Sequence, residues 1–222
     1  MGAHLIYHPK RTKTEIGKIV VYHDRFGGNE DPYLWNDKFL HTYCHITQLK
    51  NEVGQINFWV SDDKLTNFSH LYCDCVFVIA EKHFWKTSHF IDPNDPIVDN
   101  KQAFEHNYKW ANPPHNNHPL KKRQRYTLKA DPVRSFQPQD RDHNLIDVVP
   151  FLKKHGISID QLHQAMISKV NSRPFKLPED IGDELYDYLS KVAMIKLKGN
   201  QLASSHPHGI RNIQSKSQGK CC

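Results

Sequence analysis

Short strand-like apolar segments recur through the first 130 residues, separated by polar and proline-rich stretches, and helical spacing of apolar positions takes over between about 144 and 198. KIVVYH (18–23) has the β-branched content of a strand, and HTYCHITQL (41–49) reads as a second. In GQINFWVS (54–61), Ile56, Phe58 and Val60 share one face while Asn57, Trp59 and Ser61 share the other. LYCDCVFVIAEKHFW (71–85) is the most apolar segment and predicts a central strand; RQRYTLKA (123–130) predicts another. Residues 1–16 are polar and basic and read as an extended arm. Prolines punctuate 86–122 around a short helical stretch, NKQAFEHNYKW, and DPVRSFQPQDRDHN (131–144) reads as a long loop.

The helical signals are local and specific. LIDVVPFLKKHG predicts a short helix closed by Lys153, Lys154 and Gly156. Ser158 and Gln161 have capping-box spacing, ahead of Ile159, Leu162, Met166 and Val170 on one face. Pro178 opens a further helix with Ile181, Leu185, Tyr188, Leu189 and Val192 in one stripe. The expected fold class is α+β: a small β-barrel-like body followed by a helical C-terminal third. The expected divisions are 1–143 for the β-rich body with its arm and proline-rich insertion, 144–198 for the helices and 199–222 for a basic tail.

Charge brings in a partner class. Thirty Lys and Arg against 24 Asp and Glu give a net charge of +6, with 16 histidines besides, a balance that favours DNA, RNA or a nucleotide. No apolar run approaches the roughly 18–20 residues that span a bilayer, so no membrane partner is expected. The five cysteines (44, 73, 75, 221 and 222) are odd in number and unevenly placed, as in reduced cytoplasmic proteins; the final Cys221–Cys222 pair reads as part of an unmodified tail.

Cys73-x-Cys75 is too closely spaced for a zinc knuckle, and on a regular strand the two sulfurs would share a face. His115-x-x-His118 and His206-x-His208 have no nearby ligands at familiar spacing, so no metal site and no resident cofactor are expected. No phosphate-cradling glycine motif occurs around Gly27–Gly28. What stands out is YHDRFGGNEDPYLW (22–35), whose glycines can turn a polar segment into a pocket walled by Tyr33 and Trp35. In the binding reading, Trp35 and Trp59 stack on a base, Arg25, Asn29 and Asp31 meet polar edges, and Arg123, Arg125 and Lys129 line a phosphate track. A nuclease or other hydrolase is the alternative, with His23, Asp24 and Glu30 moving protons or holding a divalent cation. A third reading is a protein-interaction module that uses the C-terminal helices.

GQINFWVS followed by CDCVFVIAE resembles the PUA-like group of small β-barrels, which includes the ASCH and nucleotide-modification-associated domains. Gly54 matches the group's glycine, Ile56 and Phe58 its apolar positions, and Gln55 stands where the group has an acid. The resemblance covers roughly residues 18–130 and implies a barrel that reads modified or flipped bases, or that partners nucleic-acid modification enzymes.

Overall fold

The computed structural model describes residues 2–8, 11–23, 40–41, 51–62, 67–84, 126–167 and 174–198. Eleven strands and three helices lie among the described residues: β1 Ala3–His8, β2 Thr12–Ile16, β3 Ile19–His23, β4 Leu40–His41, β5 Ile56–Ser61, β6 Tyr72–Phe84, β7 Tyr126–Ala130, β8 Gln137–Gln139, β9 Ile146–Asp147, α1 Val149–Lys154, α2 Ile159–Met166, β10 Phe175–Leu177, α3 Glu179–Val192 and β11 Ile195–Leu197. No helix among them is long and apolar enough to cross a membrane.

The main sheet runs β10-β1-β5-β6-β7-β4, with β9 also paired to β6. β1 and β5 are parallel, and β5–β6 and β6–β7 are antiparallel. This is an open mixed sheet, which corrects the expectation of a barrel-like body. The expected helical C-terminal third is corrected as well. Strand outweighs helix across the described residues as a whole, and β10 and β11 flank α3 and pair with β1 and β8. Each of the two strands is only three residues long, too short to carry a readable period.

The expected N-terminal arm is in fact an interior strand. β1 lies between β10 and β5, with Ala3 and Leu5 0% and Ile6 2% exposed. Flanking lysines and arginine lower the average hydropathy of 1–16, but Leu5-Ile6-Tyr7 is apolar enough to be buried on both faces. The predicted strands at 54–61 and 71–85 correspond to β5 and β6. Only His41 of the predicted 41–49 strand falls among the described residues, in β4. The loop expected at 131–144 contains β8, and Phe136, just before it, bridges to Val76 of β6.

One face of the sheet forms the apolar core with the helices. Leu5, Phe58, Val60, Val76 and Val78 pack with Leu152, Leu162, Leu185 and Leu189. The helix ends follow local chemistry. Gly156, at φ 76°, closes α1, where Gly156 N–H donates to Lys153 O and Ile157 N–H to Leu152 O. Ser158 caps α2: its hydroxyl accepts from Gln161 N–H, and the Gln161 amide oxygen accepts from Ser158 N–H. α3 begins directly after Pro178, with Glu179 and Asp180 in its first turn.

Candidate functional site

Few of the residues singled out from sequence can be placed. Asp24, Arg25, Asn29, Glu30, Asp31, Tyr33, Trp35, Arg123 and Arg125 lie outside the described residues. His23 is the last residue of β3, its backbone opposite Thr12. Trp59, expected as a stacking surface, is only 1% exposed, between Ile6 of β1 and Cys75 of β6. Alternation put it on the polar face correctly, but that face is buried too, so its ring is closed off. Lys129, expected on a phosphate track, sits 2.6 Å from Glu81 Oε1.

Polar chemistry gathers instead where β1 and β5 end and β6 begins. Across the strands, His8, Ser61, Tyr72 and Asp147 stand in one row. One step into the sheet, the β5–β6 register shifts: Trp59 faces Cys75 and Val60 faces Cys73, so Asp74 is an extra residue in a β-bulge. The bulge turns Cys73 and Cys75 to opposite faces, correcting the shared face expected of a regular strand; Cys73 joins the helix-side core.

The bulge also delivers the Asp74 carboxylate to Arg11, with Arg11 Nε 2.8 Å from Oδ2 and Nη2 3.3 Å from Oδ1. Both side chains are 1% exposed. Burial pushes the Asp74 carboxyl up, and the Arg11 guanidinium and the Ser61 hydroxyl offset part of that rise by favouring the ionised form. Gln137 Nε2 donates to Asp74 O at 2.7 Å. The same amide brackets β3, accepting from Tyr22 N–H at 2.9 Å and donating to Tyr22 O at 2.9 Å. Gln139 adds a bond to Val20 O. Side-chain amides thus hold the β2–β3 hairpin beside β8 where a strand ladder would otherwise be needed.

On the outer side of this end, His70 Nδ1 lies 2.8 Å from Asp147 Oδ2. Asp147 is fixed at the entrance to α1, where its Oδ1 accepts from Leu71 N–H and Val149 N–H, both at 3.0 Å. The His70 ring stacks on Tyr72, with centroids 5.9 Å apart and planes inclined by 16°. Its side chain is 57% exposed, against 22% for Asp147. On the helix side, burial and the nearby Asp62 push the Tyr7 phenol up to about 12, and its buried hydroxyl has no hydrogen-bond partner among the described residues. Phe68, at φ 46°, is a bulky residue in left-handed backbone, and its ring lies 4.9 Å from Tyr7 and 5.5 Å from His163.

Sequence reading missed His70, Tyr72 and Asp147. Sequence reading puts Asp147 in the helix over 145–156, whereas it belongs to β9 ahead of α1, and its meeting with His70 and Tyr72 depends on β9 pairing with the start of β6. An open depression of about 460 Å³ lies at the α1–α2 junction, lined by Lys153, Gly156, Ile157, Ser158, Ile159 and Asp160. Among the described residues, no group of three or more His, Cys, Asp or Glu is placed to hold a metal ion. Comparison of the chain with protein-family models, curated proteins and solved structures returned no match.

Proposed function

We propose that the protein binds nucleic acid or a nucleotide in the cytoplasm, through a cationic surface away from α3. The observation that carries this reading is the segregation of charge. The chain carries +6, while Glu179–Val192 holds five acids and one lysine, a balance of −4, so the rest of the chain carries +10. Exposed Lys13, Lys18, Arg141 and Lys196 lie on or beside the β2–β3 and β8–β11 pairs. Aromatic rings support two cations in this part of the chain: Lys13 over Tyr22 at 5.9 Å and Lys196 over Phe136 at 5.8 Å. Ring-supported cations flanking an exposed surface suit phosphate contacts, which supply affinity without reading sequence.

The test is fluorescence anisotropy with labelled single- and double-stranded DNA and RNA at two salt concentrations. Binding that weakens steeply as salt rises is the expected result. Absence of binding to every probe at low salt overturns the reading. Charge reversal of Lys13, Lys18 and Arg141 together should flatten the salt dependence, whereas Lys129→Ala should leave it nearly unchanged because that ammonium already meets Glu81.

A further inference from the structure

We propose that His70 and Tyr72 form a stacking platform for an unpaired base of a single-stranded nucleic acid; this rests on the nucleic-acid reading and names the form of nucleic acid. The His70 imidazole is held in two ways. The ring runs nearly parallel to Tyr72, with centroids 5.9 Å apart and planes inclined by 16°, and Nδ1 is tied to Asp147 Oδ2 at 2.8 Å. Asp147 cannot easily swing, because two backbone N–H groups hold its other oxygen. An exposed side chain ordinarily keeps its rotamer freedom, and here that freedom is removed while 57% of the side chain stays exposed. Among the described residues no other ring or cation covers the outer face of the imidazole.

A flat π-face that is held in place, exposed and flanked by a second, nearly parallel ring is what an unstacked base needs, since the ordering cost is met before binding. A base inside a duplex is already covered by its neighbours, so the platform favours single strands. Trp59, the tryptophan that alternation placed on the polar face, is buried, so among the described residues the partly exposed His70–Tyr72 pair offers a ring surface at this end of the sheet where Trp59 does not. Asp147 acts as a positioning residue through His70.

Anisotropy titrations with a single-stranded oligonucleotide and a duplex of the same length test the proposal. His70→Ala should weaken single-strand binding by about tenfold or more and leave duplex binding unchanged. His70→Phe, which keeps the ring and loses the bond to Asp147, should restore affinity to within about threefold. The loss in His70→Ala should be equal at low and high salt, because stacking releases no counterions. An unchanged single-strand affinity in folded His70→Ala overturns the platform, as does failure of His70→Phe to rescue it. If the unmodified protein binds no probe at low salt, the parent reading fails and the platform with it. If it binds both probes and only the variants behave otherwise than expected, the platform alone fails.

Discussion

The two faces of the central sheet are equally buried and differently made. Toward the helices, Leu5, Ile56, Phe58, Val60, Val76 and Val78 meet Leu162, Leu185 and Leu189, with little polar material between them. On the opposite face Ile6, Trp59, Cys75, Phe77 and Ile79 are buried beside His4, Asn57, Ser61, Asp74 and Arg11. The first face is held by area removed from water, which is tolerant of shape. The second depends on directed bonds, among them the Arg11–Asp74 pair and the Gln137 amide that grips both Asp74 O and Tyr22. A polar group buried there is secure while every partner is present and costly once one is removed.

The sharpest way to break the comparison is to remove one charge from the second face. Asp74→Ala leaves the Arg11 guanidinium buried, and a loss of about 3–5 kcal/mol in urea unfolding is expected. Replacing both partners together, as Arg11→Met with Asp74→Leu, should recover most of that loss; a double variant as unstable as the single one would show that the pair itself is needed. On the helix face, Leu185→Ala should cost about 2–5 kcal/mol, while Leu185→Met should cost under about 1.5 kcal/mol. A large loss in the methionine variant would show that this face is as exacting as the other.

Titration offers a third test on the second face. His4 is held below its ordinary 6.5, first by burial and then by Lys176, with a bond to Asn57 opposing. The unfolded chain accepts a proton near 6.5, whereas the folded chain resists it to lower pH. His4 therefore contributes stability above pH 6.5, and that contribution is lost as pH falls through its folded value. The slope it adds is at most about 1.4 kcal/mol per pH unit. Urea unfolding across this window should give a shallower profile for His4→Gln than for the native chain; identical profiles would rule out the contribution. The smallest expected effect lies at a helix end, where Ser158→Ala should cost about 1 kcal/mol.

What was legible in the sequence was local or came from strong periods. The Ser158–Gln161 box, the Gly156 stop and the helix after Pro178 could be read because each depends on residues within one or two turns. β5 and β6 could be read because a strongly apolar run leaves few alternatives. β1 was hidden by the cations beside it, and β8, β10 and β11 were too short to show a period. The chain's net charge of +6 was visible in composition. Of the candidate site, His70 and Asp147 were not, since 77 residues separate them in the chain.

The sequence by itself determined the helix termini, the apolar stripe of α3 and the face on which Trp59 lies, because these follow from spacing along one segment. Only the tertiary structure decided that this face is covered, that Asp74 is an extra residue in its strand, and that Arg11 comes to meet it from 63 positions away. A β-bulge and a buried ion pair depend on which strands become neighbours, and strand pairing joins residues far apart in the chain.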